Sequence, residues 1–306
     1  MKILVATVKP FAPVAVSQIK EIVEKAGHEF ALLEKYSSQE ELIQHVSGAD
    51  ALIVRSDDIN KDAIAAAPNL KIVVRAGAGY DNIDLPSSSE ANIVVMNTPG
   101  QNSNAVAELA LGMMVYVARN QFNGSPGTEL LGKTLGIHAY GNVGKRVADI
   151  AKGFGMELYA FDPFVERSAI ENDGVRVVDS EKELYSTCQY VSLHIPANEH
   201  TIKSINEELL SAMPGNPVLV NTARKEVINE ESLLKVLHGN DNFRYASDIA
   251  PDCADEINEK FPGRCYFTPK KMGAQTAEAN INAGLAAANQ IVKFFETGDT
   301  TFQVNL

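Results

Sequence analysis

A chain of 306 residues has room for about two domains at roughly 150 residues each, and its 45% apolar content supplies a core for both, which excludes intrinsic disorder. Twenty-seven basic against 39 acidic residues give a net charge of -12, and no basic stripe offsets it, so a nucleic-acid partner is excluded. The longest apolar run, Leu109 to Ala118, is far short of the ~20 residues of a membrane-spanning helix, so no membrane partner is expected.

Short β-rich runs alternate with helical patterns from the first residues onward, which predicts βα units and mostly parallel sheets. Ile3 to Ala6 reads as a strand; Val14 to Ala26 follows Pro13 with apolar residues at helical spacing and stops at Gly27. Phe30 to Leu33 is the next strand, and Ser38 with Glu41 forms a capping box opening a short helix. Ala51 to Val54 and Ile72 to Val74 are strands flanking a helix near Asp62 to Ala67. After Asn97-Thr98-Pro99-Gly100 a long helix covers about Asn104 to Arg119, and Gly124-Ser125-Pro126-Gly127 then reads as an interdomain crossover. The second series has strands ending at Ala139, at Glu157 to Phe161, Val175 to Val178, Tyr190 to Leu193, Val218 to Val220, Tyr245 to Ser247 and Tyr266 to Phe267. Its helices cover Val143 to Phe154 and Glu230 to Leu237, and an Ala-rich helix from Thr276 to Glu296 ends the pattern.

Gly136-Ile137-His138-Ala139-Tyr140-Gly141-Asn142-Val143-Gly144 lies between a strand and a helix and is a dinucleotide-binding turn with Ala139 in place of the first glycine. Gly141 and Gly144 keep the positions that let the backbone reach a pyrophosphate and let helix and strand pack, and the helix amides near Asn142 and Val143 are placed for an anion. The next strand ends in Asp162, where a carboxylate accepts from ribose hydroxyls and repels a 2'-phosphate. NAD is therefore preferred to NADP, with Arg167 keeping the second open. His138 reads as a strand residue with a satisfied imidazole. Cys188, Cys253 and Cys265 show no CxxC spacing, so neither a disulfide framework nor a metal site is expected. The N-terminus has no secretory pattern, which points to the cytoplasm and makes the Asn123 sequon irrelevant.

Lys9, Arg55 and Arg75 each stand just past a strand of the first series, so three cations gather at one sheet edge of an acidic protein. A doubly charged phosphate fits them, with Asp57 and Asp58 as competing partners for Arg55. Gly77-Ala78-Gly79 supplies successive amides for a carboxylate, with Ser56, Asn82 and Asn102 as accessory donors.

Six stretches now resemble the D-isomer-specific 2-hydroxyacid dehydrogenase family. They are Lys71 to Asp84, Asn97 to Gly100, Val106 to Ala110, Gly132 to Ile137, Ser192-Leu193-His194-Ile195-Pro196 and Asn221-Thr222-Ala223-Arg224. Within the family the chain is most similar to its phosphoglycerate-oxidising branch, in the short form without a C-terminal regulatory domain. The resemblance implies an α/β chain of two Rossmann-like and flavodoxin-like domains with the active site in the cleft between them. The expected division is a substrate domain at 1–100 plus 283–306 and an NAD domain at 101–282, in a homodimer. It adds Tyr140, His194, Ile195, Pro196, Thr222, Ala223, Arg224 and Asp248 to the cofactor set.

The resemblance also assigns Arg224 to the substrate, where a guanidinium forks onto carboxylate and carbonyl oxygens. The family's acid/base His should follow Thr268-Pro269, but Lys270 and Lys271 stand there, and either is the candidate. Its partner Glu falls on Cys253, leaving Asp252 or Asp255 as displaced carboxylates. The two losses are coherent, because a carboxylate raises the pKa of an imidazole usefully and that of an ammonium in the wrong direction. The implied reaction is NAD-dependent oxidation of 3-phosphoglycerate, a small anionic substrate. A glyoxylate or hydroxypyruvate reductase and a non-catalytic NAD(H) sensor are the alternatives.

Overall fold

The computed structural model describes residues 1–305. The chain divides into two units, Met1–Asn102 with the segment from Thr276, and Ser103–Gln275. The return to the first unit falls at Thr276, ahead of the expected boundary at 283.

The first unit begins with β1 (Lys2–Thr7), α1 (Pro13–Lys25), β2 (Glu29–Glu34), α2 (Gln39–Val46) and β3 (Ala51–Val54). It continues with α3 (Lys61–Ala65), β4 (Ile72–Arg75), α4 (Leu85–Glu90) and β5 (Val94–Asn97). All five strands are parallel in the order β2-β1-β3-β4-β5. That is the flavodoxin-like order, whose switch point lies between β1 and β3. Pro13 opens α1, where its missing N–H costs nothing. Ser38 accepts from the Glu41 amide at α2, while Glu41 reaches back to the Ser37 amide, so the capping box closes one residue early.

The second unit begins with α5 (Ser103–Ala118), β6 (Thr134–His138), α6 (Asn142–Gly153), β7 (Glu157–Phe161), α7 (Arg167–Asn172) and β8 (Arg176–Val177). There follow α8 (Glu181–Thr187), β9 (Tyr190–Leu193), α9 (Glu207–Ala212), β10 (Val218–Asn221), α10 (Glu230–Gly239), β11 (Arg244–Ser247), α11 (Ala254–Lys260) and β12 (Cys265–Phe267). Its seven parallel strands run β12-β11-β10-β9-β6-β7-β8, a Rossmann order extended by one strand. The runs Tyr190–Leu193 and Val218–Asn221 are mostly apolar and buried at every position, without alternation, because helices cover both faces. The chain then re-enters the first unit with α12 (Ala277–Thr297), whose Ala283, Ala287, Ala288 and Ile291 pack with Phe11, Ile19 and Val23.

The Gly124-Ser125-Pro126-Gly127 stretch, expected to cross between domains, lies inside the second unit. There the Thr128 amide returns to the Ala118 carbonyl at 2.8 Å, and a side chain on Gly127 would strike that same carbonyl. The tight return onto the end of α5 explains the Gly-Pro composition without any crossing between units.

Candidate active site

The turn after β6 is shaped for an anion. The Ala139 amide donates to the Phe161 carbonyl at 2.9 Å and the Tyr140 amide to Asp162 Oδ2 at 2.7 Å, so the end of β7 fixes the loop. Gly141 caps α6 with no side chain of its own, and a Cβ on Gly144 would collide with the Ala139 carbonyl oxygen. The first-turn amides at Asn142 and Val143 have no acceptor within the helix and carry the positive end of its dipole. Asp162 takes a second bond from the Phe164 amide at 2.9 Å. Arg167, the residue that kept a 2'-phosphate open, is engaged elsewhere: Nε donates to Glu171, Nη1 to Asp179 and Nη2 to the Val177 carbonyl.

Ala139 sits at φ 77°, a left-handed conformation that a Cβ disfavours and glycine does not. Restoring glycine with Ala139→Gly is expected to stabilise the protein by about 0.5–1 kcal/mol, net of the entropy glycine adds to the unfolded chain. Thermal unfolding checks this through a midpoint raised by about 1–3 °C.

His138 donates and accepts within a closed set, with Tyr185 OH and Glu181 Oε1 each 3.3 Å from its ring nitrogens. His194 follows β9 and its amide donates to the His138 carbonyl at 2.9 Å. Burial, then the neighbouring His138, hold its imidazole down to about 3. It is thus a neutral group at working pH, with Nε2 buried and unpartnered among the described residues. Ile195 is buried beside it, and the exposed Pro196 accepts from Thr201 Oγ1.

At the end of β10, Asn221 closes an Asx turn: its Oδ1 accepts from the Ala223 amide and its Nδ2 donates to the Arg224 carbonyl, both at 2.9 Å. Thr222 approaches His194 Nδ1 at 3.5 Å. The turn holds Arg224 in extended backbone, exposed, with one guanidinium bond, from Nη1 to the Ala223 carbonyl. Lys270 and Lys271 lie exposed on the loop after β12. The buried Asp248 binds that loop, accepting from Thr268 Oγ1 at 3.1 Å and from the Met272 and Gly273 amides at 2.7 Å each. Of the two displaced-carboxylate candidates, Asp252 pairs with Lys225 and Asp255 lies in the first turn of α11. Glu230, which sequence reasoning passed over, accepts from the Asp252 and Cys253 amides at 2.8 and 2.9 Å. Burial and that carboxylate push the Cys253 thiol up to about 12, so it is no nucleophile.

In the first unit the cations gather at the β1/β3 switch point. Arg55 Nη1 donates to the Lys9 and Pro10 carbonyls at 2.8 and 3.0 Å, Nη2 donates to Asn280 Oδ1, and the guanidinium lies 5.1 Å from the Phe11 ring centroid. Arg55 makes no ion pair among the described residues. Asp57 is instead a buried tether accepting from the Val8 amide, the Tyr36 hydroxyl and the Arg55 amide. Asn82, expected to assist the substrate, donates to the Asp57 carbonyl at 2.6 Å and so belongs to the same tether. Burial, and then Arg55, pull the Arg75 guanidinium below its ordinary pKa, and its Nε is buried without a partner. A Cβ on Gly77 would occupy the space of that guanidinium, which is why glycine stands there. Gly77 accepts from the Thr98 amide, and the Ala78 carbonyl accepts from Asn97 Nδ2, while the Ala78 and Gly79 amides donate to nothing among the described residues. Lys9 and Ser56 are exposed beside Arg55, and Asn102 is half-buried at the end of the segment. Two partly buried guanidiniums, Arg75 lowered by burial and then by Arg55 and carrying an orphaned nitrogen, are the electrostatics of a site for an anion.

Among the described residues no cluster of three His, Cys, Asp or Glu side chains is placed for a metal, and no helix is long and apolar enough to cross a membrane. Residues 5–305 match the family described as D-isomer specific 2-hydroxyacid dehydrogenase, catalytic domain. A D-3-phosphoglycerate dehydrogenase of Methanocaldococcus jannaschii is 35% identical over 270 residues, 84% of this chain and 52% of its own length. The chain thus spans about half the length of that relative. A hydroxypyruvate reductase of Thermotoga maritima is 35% identical over 283 residues, covering 87% of this chain and 91% of its own. Among solved structures, the NAD+-bound 3-phosphoglycerate dehydrogenase of Entamoeba histolytica superimposes with a TM-score of 0.84 at 48% identity, covering 100% of this chain and 99% of its own. With the two sheet orders, the glycine turn and the Arg224 turn all in place, this chain belongs to the D-isomer specific 2-hydroxyacid dehydrogenase family.

Proposed function

We propose that the protein oxidises 3-phosphoglycerate to 3-phosphohydroxypyruvate with NAD. The observation that carries the substrate class is the Arg55 and Arg75 pair, two guanidiniums at the ends of the neighbouring strands β3 and β4 with no ion pair among the described residues. The phosphate falls to Lys9, Arg55 and Arg75, and the open Ala78 and Gly79 amides take a carboxylate. Gly141, Asn142, Val143 and Gly144 receive the dinucleotide pyrophosphate, and Asp162 the adenosine ribose; the engagement of Arg167 favours NAD over NADP. NAD, when bound, supplies the acceptor for the hydride from C2 of the substrate. Arg224 orients the carboxyl and carbonyl oxygens and stabilises charge developing on them. A lysine of the Thr268–Gly273 loop, Lys270 or Lys271, takes the hydroxyl proton in oxidation and returns it in reduction.

The Thermotoga relative supports a second reading, reduction of an unphosphorylated keto acid such as hydroxypyruvate. Arg55→Ala separates the two. On the phosphorylated reading it raises the KM for 3-phosphoglycerate by about 10–100-fold, because a charge-assisted bond is worth roughly 1.5–3 kcal/mol, and leaves turnover of glycerate within about threefold. An equal effect on both substrates contradicts phosphate recognition by Arg55. Pairing of two chains through the second unit, and a place in the cytoplasm, are expectations of the same reading.

A further inference from the structure

Asp248 is 2% exposed, yet its carboxylate receives three donors, all from one short segment: the Thr268 hydroxyl and the Met272 amide on Oδ1, and the Gly273 amide on Oδ2. A carboxylate has about four acceptor positions, so three are engaged inside the protein. Its own amide donates to the Asn221 carbonyl at 2.9 Å, the residue that also closes the Arg224 turn. The loop is drawn in until a Cβ on Gly273 would lie 2.9 Å from Asp248 Oδ2 and 3.2 Å from Val106 of α5. Lys270 and Lys271 lie between the donors that the carboxylate fixes. One buried residue thus joins two turns: its carboxylate holds the lysine loop, and its backbone amide meets Asn221 of the Arg224 turn.

We propose that Asp248 is the positioning residue of the lysine loop, setting where the amine stands relative to Arg224 rather than reacting itself. The proposal rests on the reading that a lysine of this loop moves the proton. One buried and one part-buried amide and a buried hydroxyl share the two oxygens of the carboxylate, whereas the amide of an asparagine offers one oxygen and a competing donor. Lost bonds release the loop, and an acid/base group displaced by about 1 Å loses roughly 10²-fold in rate.

The test compares the full-length Asp248→Asn and Thr268→Val variants with the parent chain by hydrogen exchange, NADH fluorescence titration and steady-state kinetics over pH. In Asp248→Asn, exchange at Met272 and Gly273 rises by about 10–100-fold, since bonds to a charged acceptor contribute about 1.5–3 kcal/mol, while exchange at Ala139 to Gly144 is unchanged. Its kcat falls by about 10–100-fold, the limb of the pH profile that reports the amine moves, and NADH affinity stays within about threefold. Thr268→Val, which removes one donor and keeps the fold, gives the same pattern with smaller amplitude. Unchanged exchange at Met272 and Gly273, or loss of NADH affinity in proportion to kcat, overturns the proposal and makes Asp248 a cofactor contact. A parent chain inactive on every 2-hydroxy acid tested fails the proton-transfer reading instead, and the exchange data still decide whether Asp248 holds the loop.

Discussion

Arg224→Gln is expected to lower kcat/KM for the hydroxy acid by about 10³-fold, equivalent to ~4 kcal/mol, with NADH affinity within about threefold of the parent. The guanidinium is presented in extended backbone by the Asn221 turn, and its one internal hydrogen bond, to the Ala223 carbonyl, holds it in place without neutralising it. Glutamine keeps two donors but loses the charge that opposes the oxygen's developing negative charge. Arg224→Lys recovers only part of the rate, because an ammonium lacks the planar fork that matches two oxygens at once. Steady-state kinetics with a parallel NADH titration check the pair, and wild-type turnover in Arg224→Gln contradicts the assigned role.

The second large effect is the separation of the two lysines. Replacing the proton-transfer lysine with Met lowers kcat by about 10²–10⁴-fold, and replacing its neighbour leaves most of the activity. The direction with pH follows from the amine's state: oxidation needs it neutral and gains rate as pH rises, and reduction needs it charged and loses rate. Substituting His at the same position moves that limb down toward the imidazole range of ~6.5. Retained turnover in both Lys270→Met and Lys271→Met removes the lysines from the mechanism and leaves proton transfer to another group.

Much of the fold is legible because the strands of these covered sheets are short, mostly apolar β-rich runs bounded by turn residues. Glu157–Phe161 and Tyr190–Leu193 stand where the residues alone place them. Missing from that reading is β5, whose end residues Val94 and Asn97 are only half-buried and whose run merges with the Asn97-Thr98-Pro99-Gly100 turn. Also missing are α4, α7, α8, α9 and α11, each one to two turns long, stabilised at the ends more than by an apolar stripe. A signal existed for three of them, since Asp84, Ser180 and Asn206 each accept from the amide three residues on.

The candidate site divides along the same physical line. The Gly141–Gly144 loop, on an ordered turn at a strand end, can be found from local pattern because the turn chemistry itself is local, whereas Arg224 enters through the family resemblance. The tethers Asp57, Asn82, Asp248 and Glu230 are not legible this way, since their partners lie 20 or more residues away for most of their bonds. A buried carboxylate and an exposed one look alike in a sequence. The same limit applies to Asp252, whose pairing with Lys225 depends on where two separate loops meet.

Selection of a phosphorylated hydroxy acid is read from the initial rate of NADH formation with 3-phosphoglycerate, glycerate and D-lactate over about pH 7 to 10. The keto product is trapped, and each keto acid is run in reverse. Phosphate recognition by Arg55 and Arg75 gives a kcat/KM for 3-phosphoglycerate at least ~10²-fold above that for glycerate, the worth of one to two charge-assisted phosphate bonds. Equal or faster turnover of glycerate contradicts it and assigns the chain to reduction of unphosphorylated keto acids.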